Sequence, residues 1–184
     1  MVKRIFVPTE SYRDWQRLLA KPERHWKAGY SAMTLARAWE EPADNSFPPE
    51  VAAALRSSQA SELTNLSLLL ALPEYQVALP GGDRPSQTDV LAIARGDDGL
   101  VVIAVEGKVD EPFGPTVGEK HAERSQGVDE RLQFLSDCLE IPEPIAESVR
   151  AYASHRIRTP GRRTVLCGRC CHARSLLQPI GQVV

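Results

Sequence analysis

The sequence of 184 residues holds no run that approaches the ~20 apolar residues a membrane helix needs. Its first fifteen residues lack an apolar core and meet acid at Glu10, so no secretory signal is expected and a cytoplasmic location is. A glycine-rich phosphate loop is missing too, because Pro80-Gly81-Gly82 precedes a strand pattern rather than a helix, which argues against a nucleotide-binding or transfer enzyme. The four cysteines do not make a disulfide framework in such a chain. Cys138 sits on the apolar side of a helical pattern and is expected to be a small buried residue. Cys167, Cys170, Cys171 and His172 form half a zinc knuckle with no second ligand pair, so a structural zinc is not expected. Acid is absent from residues 155–184, which carry six arginines; that tail holds +6 and residues 1–154 hold −8 of the formal net charge of −2. An acidic body is poorly suited to nonspecific nucleic-acid binding, where basic side chains displace counterions from phosphates.

The remaining composition, 42% hydrophobic and 25% charged, is that of a globular chain long enough to bury a core without cross-links. One α/β domain is expected over residues 1–154, with its core at about 60–140, followed by an Arg- and Cys-rich tail at 155–184. Ile5-Phe6-Val7 reads as a short strand or extended arm stopped by Pro8. Thr9 or Ser11 then caps a helix through Trp15, Leu18 and Leu19. Further helices are expected from about Ser31 to Glu40, with Met33, Leu35, Ala36 and Trp39 inward, from Pro49 to Leu55, and from Ser61 to Leu72. A turn-rich loop occupies residues 41–49. Beyond residue 74 the period becomes two. Tyr75, Val77 and Leu79 mark a strand, and the runs Thr88–Ala94 and Leu100–Val109 flank Gly96-Asp97-Asp98-Gly99, a tight hairpin signal. Both faces of this hairpin are apolar, as in a central sheet covered on each side. Leu132, Leu135 and Leu139 return to helical spacing over Asp129–Leu139, and no internal repeat is present.

The hairpin licenses a geometric argument. Folded about the Asp97–Asp98 bond, it sets residues opposite one another when their numbers sum to 195, so Asp89 faces Glu106. Side chains alternate along a strand, which puts Glu106 and Lys108 on one face with Asp89 and turns Val101, Ile103 and Val105 to the other. Two carboxylates this close repel unless a cation sits between them. Mg²⁺ or Mn²⁺ suits hard oxygen ligands, would acidify a bound water, and leaves Lys108 to orient that water or to stabilise charge developing on phosphorus. That is chemistry for cleaving a phosphodiester.

At these residues the chain resembles the PD-(D/E)XK nuclease superfamily, which places an Asp on the second core strand and an acid-x-Lys on the third, between flanking helices. Ser86-Gln87-Thr88-Asp89 followed by Val105-Glu106-Gly107-Lys108 matches that pattern in order, spacing and strand context, over about residues 60–140. The resemblance implies a restriction-endonuclease-like core: N-terminal helices and a small mixed sheet flanked by helices. It implies Mg²⁺ (or Mn²⁺) held by Asp89, Glu106 and the Gly107 carbonyl, with Lys108 serving the attacking water. It also implies an acid from the preceding helix, Glu62, with Glu74 as the alternative. The blocks Asp14-Trp15, His25–Ala32, Leu79–Gly82 and Val105–Pro115 further resemble an uncharacterised bacterial family of unknown function, over most of residues 3–135. The chain after about Arg150 departs from that family's C-terminal part.

Each residue has a plainer reading. Asp89, Glu106 and Lys108 also describe a salt-bridged cluster at a sheet edge. Glu62 also suits a solvated helix face. Residues 109–114 either shape a substrate lip or form an ordinary exit loop. Trp26 belongs to a core or, with His25, to a partner surface, and His121 to a solvated polar loop. The expectation is therefore a metal-dependent nuclease or nuclease-like protein. Its alternative is a catalytically inactive interaction protein that keeps the fold and binds a protein partner. Nucleic acid as a partner stands against the net charge of the body unless the tail arginines lie near Asp89. No membrane partner is expected, and no oligomeric interface is legible.

Overall fold

The computed structural model describes residues 4–42, 46–58, 60, 63, 65–109, 115–122 and 126–139, together with the backbone of 163–168. A 3₁₀ helix, Tyr12–Leu18, follows the N-terminal arm. Its start is fixed by Asp14, whose carboxylate accepts the backbone N–H groups of Glu10 and Ser11 at 2.7 and 3.0 Å. Two short connections lead through α1 (Pro22–His25) to α2 (Ser31–Glu40). Leu35, Ala36 and Trp39 of α2 recur at helical spacing and are buried, while Met33 is only half-buried. α3 (Pro49–Ser57) opens on a proline, whose fixed φ and missing N–H suit a first helical turn, and buries Val51 and Leu55 four residues apart.

These helices cover one face of a mixed four-stranded sheet of order β1-β2-β3-β4. β1 (Ser67–Val77), β2 (Ser86–Gly96) and β3 (Gly99–Glu106) form an antiparallel meander; β4 (Arg163–Gly168) pairs in parallel with β3. The parallel step needs a crossover, and α4 (Val117–Ala122) and α5 (Gln126–Leu139) lie within it. The β2–β3 pairing, Val90↔Val105 through Gly96↔Gly99, keeps the expected sum of 195 throughout. Val90, Ala92 and Ala94 of β2 and Val101, Ile103 and Val105 of β3 enter one apolar cluster with Trp15, Leu35, Trp39, Val51 and Leu55. Leu91 and Ala104, which point the opposite way, are also buried, so both faces are covered.

The helix expected over residues 61–72 is corrected by the structure: from Ser67 onward that stretch is strand β1. Leu68 and Ala71 are three residues apart, a helical interval, and both are buried. A strand delivers both to one face because the register slips between Leu68 and Leu70, inserting one extra residue as a bulge. Pro73 is tolerated within β1 because this is an edge strand. Along that edge the N-terminal arm adds a single parallel bridge, Ile5 to Ala71, with 2.8 Å bonds from Phe6 N–H to the Ala71 carbonyl and from Ala71 N–H to the Arg4 carbonyl.

Two further expectations are corrected. Cys138 is exposed, since the buried stripe of α5 runs through Leu132, Leu135 and Ser136 instead. His121 belongs to helix α4 rather than to a loop. The β1–β2 connection is latched to α5. Arg131 donates from Nε to the Pro80 carbonyl at 3.1 Å and from Nη2 to the Arg84 carbonyl at 2.9 Å. Gly81, with φ at +83°, comes so close to Gly127 that a Cβ on it would lie 1.9 Å from the Gly127 carbonyl oxygen. This latch holds the segment that leads into β2 and its Asp89.

Candidate functional site

Three strands bring one acid each to the same row of the sheet. In β1, Pro73 pairs with Val90 and Tyr75 with Thr88, so Glu74 stands opposite Asp89. The β2–β3 register, carried one residue past Val90↔Val105, sets Asp89 opposite Glu106. All three are neither fully buried nor exposed. They lie on the face away from the Val90–Ile103–Val105 core, as strand alternation requires.

The row is tied together at the end of β3. Gly107 donates its backbone N–H to Asp89 Oδ2 at 2.7 Å, closing the hairpin through a side chain where the ladder ends. Gly107 is buried because α2 comes in close beneath it; a Cβ there would lie 2.5 Å from Leu35 Cδ1. Lys108 Nζ pairs with Glu106 Oε1 at 2.6 Å, with the two side chains 20% and 30% exposed. Glu106 and Lys108 thus pair with each other beside Asp89, and the Gly107 N–H bond to Asp89 is a contact the spacing does not predict.

Glu62, expected to supply a third acid, lies outside the described residues. Glu74 lies within electrostatic range of Asp89 and Glu106. Its backbone is left-handed, with φ at +51°, a conformation that is uncommon for a residue with a side chain. Gln87 on the neighbouring strand donates from Nε2 to Glu74 Oε2. Burial is the main force pushing the Glu74 carboxyl up to about 8. The charge on Asp89, and more weakly that on Glu106, adds to the rise, while the Gln87 bond and Lys108 oppose it. The rise is mainly a burial effect, to which the neighbouring Asp89 and Glu106 charges add.

Among the described residues, no group of three or more His, Cys, Asp and Glu side chains is gathered closely enough to cage a metal ion. The donor set still fits Mg²⁺, which keeps several waters and typically takes only one or two protein carboxylates. The Gly107 N–H is spent on Asp89, so the carbonyl is what Gly107 could offer an ion. Of the zinc-knuckle residues, Cys167 falls on β4 at the position paired with Val105, and Cys170, Cys171 and His172 lie outside the described residues. Of the six tail arginines, Arg163 pairs with Val101 while Gly168 pairs with Glu106, placing Arg163 five residues, roughly 16 Å, from the acidic row. The other five lie outside the described residues, as do residues 110–114 of the expected substrate lip.

Sequence reasoning names Glu74 only as an acid alternative to Glu62 on a preceding helix; it misses the place of Glu74 within β1, opposite Asp89, and misses Gln87. A signal exists for both: Gln87 and Asp89 are two apart on β2, and Glu74 shares their row once β1 is read as a strand.

The sequence profile of a domain of unknown function, DUF6946, matches residues 8–152. The chain belongs to the DUF6946 family. That match spans the helical section, the antiparallel meander and both crossover helices, so the acidic row lies inside the DUF6946 domain. No curated protein and no solved structure matches the chain. No helix among the described residues is long and apolar enough to cross a membrane.

Proposed function

We propose that this DUF6946 protein is a metal-dependent phosphodiesterase of the PD-(D/E)XK nuclease type. The observation that carries this reading is the row of Glu74, Asp89 and Glu106 on three successive strands, with the Lys108 amine 2.6 Å from Glu106. An acid on the second strand and an acid-x-Lys at the end of the third, between helices, is the arrangement the nuclease resemblance implies. The strand order supports a restriction-endonuclease-like core, with the crossover helices leading to a parallel fourth strand.

In this reading Asp89 and Glu106 hold Mg²⁺ or Mn²⁺, and the Gly107 carbonyl adds an oxygen. When bound, the ion acidifies a water and offsets charge on the phosphate. The residues of the chain do the rest. The Gly107 N–H fixes the Asp89 carboxylate through Oδ2. Lys108 orients the attacking water and meets the negative charge that develops on the phosphoryl oxygens. Glu74, held by Gln87, adds a third acid that can take up or release a proton at neutral pH.

Calorimetric titration with Mg²⁺ and Mn²⁺ tests this. Binding at millimolar affinity or tighter, lost in Glu106→Gln, is the expected result. Lys108→Ala is expected to keep the ion and lose hydrolysis of single- or double-stranded substrates. Native protein that binds neither ion would reduce the cluster to a salt-bridged sheet edge. The inactive interaction protein would then be the better account, and the 2.6 Å Lys108–Glu106 pair favours it in that event.

A further inference from the structure

The charge of the domain is divided along the chain. Residues 1–41 contain eight basic and five acidic side chains, whereas residues 42–154 contain eight basic and nineteen acidic ones. The basic excess sits among aromatic rings. Tyr12 and Trp26, each partly buried against the core, stack at 6.3 Å between centroids with 21° between planes and leave their outer edges to the surface. The Arg37 guanidinium lies 4.8 Å and that of Arg13 5.6 Å from the Tyr12 centroid, and Lys27 Nζ lies 5.7 Å from the Tyr30 centroid. Arg13, Arg24, Lys27 and Arg37 are exposed, and among the described residues none of them forms an ion pair. Hydrogen bonding from Arg13 and Arg37 holds the Tyr12 hydroxyl below its ordinary value, as a concentrated positive potential would.

We infer that this aromatic and cationic surface, formed by the 3₁₀ helix, α1 and α2, is a docking platform for single-stranded nucleic acid. Unpaired bases stack on aromatic rings and on guanidinium planes, while the phosphates between them take cations. The strongly acidic remainder of the domain repels a polyanion, which leaves this section as its point of approach. Glu10, Glu40 and Glu41 line a cavity of about 480 Å³ beside Tyr12 and Arg37 of the platform itself, together with Ser11, so the approach of a strand is set by the guanidinium side. Glu40 is engaged there by the Trp15 indole N–H at 2.8 Å and the Thr9 hydroxyl at 2.7 Å. The platform also shares a helix with the acidic row: α2 bears Arg37, and two residues earlier bears Leu35, which underlies Gly107 between Glu106 and Lys108. The choice of polyanion rests on the phosphodiester reading of the Asp89 site.

Fluorescence anisotropy in EDTA, with a labelled oligo-dT strand of about 15 nucleotides and a duplex of equal length, reads the platform without cutting. The expected result is tighter binding of the single strand than of the duplex at low salt, weakened about tenfold or more in the Arg13→Ala/Arg37→Ala double variant. Both substitutions are at the surface, so the melting temperature and the Mg²⁺ titration should not change. Absence of single-strand binding, binding unaltered in the double variant, or equal affinity for duplex would each overturn the inference. Competition by poly-glutamate as effective as that by oligo-dT would assign the surface to an acidic protein instead. The two proposals fail separately: an ion bound at Asp89 without strand binding removes the platform, and strand binding without an ion removes the phosphodiesterase.

Discussion

The two faces of the β2–β3 hairpin differ by a single residue step. On one face Val90, Ala92, Ile103 and Val105 are fully buried against the helices; one residue further, on the other face, stand Asp89 and Glu106. The apolar face holds the strands in register, and that register alone decides which acids share a row. A substitution on the first face should therefore act on stability, and one on the second on ion binding. The largest expected effect tests the first half. Ile103→Ala removes a fully buried side chain and leaves a cavity, so urea unfolding should show a loss of about 2–5 kcal/mol. Glu106→Gln, on the other face, should unfold within about 1 kcal/mol of the native protein. A stability loss in Glu106→Gln equal to that of Ile103→Ala would mean that the row is structural.

Gly107 is where the faces meet, since its N–H serves Asp89 while its Cα rests on Leu35. Gly107→Ala puts a methyl against the end of a buried leucine, and overpacking of this kind costs about 1–3 kcal/mol. The strain should pass to both sides, lowering stability and weakening Mg²⁺ binding in the same variant. A Leu35→Val background, which gives the methyl more room, should reduce both losses. Full ion affinity in Gly107→Ala, despite lower stability, would separate the core from the site.

The contrast also explains what was legible in advance. Gly96-Asp97-Asp98-Gly99 sets a two-residue turn, and the turn sets every pairing from Gly96↔Gly99 to Val90↔Val105; Asp89, Glu106 and Lys108 follow by alternation. The first half of β1 reads as helix because its bulge gives Leu68 and Ala71 a helical interval, and its leucine-rich run suits either conformation, while Tyr75 and Val77 of its second half alternate as a strand should. Glu74 therefore enters the reading only as the alternative to Glu62, since its row depends on pairing with β2 and its left-handed backbone has no mark in the sequence. β4 has only a weak mark in the sequence because Arg163–Gly168 is six residues long, opens on the polar Arg163 and Thr164, and shows no alternation of apolar and polar positions.

The smallest effect expected here is the one that depends on pH. The Glu74 carboxyl titrates near its ordinary value, about 4.5, in the unfolded chain and at about 8 in the folded one. Below both values the carboxyl is protonated in each state, and its contribution to stability is fully present. Between them the folded state keeps the proton that the unfolded state has released, so stability falls as pH rises, and the loss is complete above about 8. Glu74→Gln keeps an acceptor for Gln87 and removes the titration. The variant and the native protein should therefore unfold alike near pH 5. At pH 8 the variant should be more stable by about 1–2 kcal/mol, the full shift being discounted because the side chain is partly open to solvent. Urea midpoints across that range would show the two curves separating. Parallel curves would mean that Glu74 ionises normally in the folded protein and that Asp89 and Glu106 place no added charge on it. Saturating Mg²⁺ gives a second comparison. An ion held by Asp89 and Glu106 supplies the positive charge the row lacks and draws the Glu74 proton off at lower pH, so the gap between the two curves should narrow.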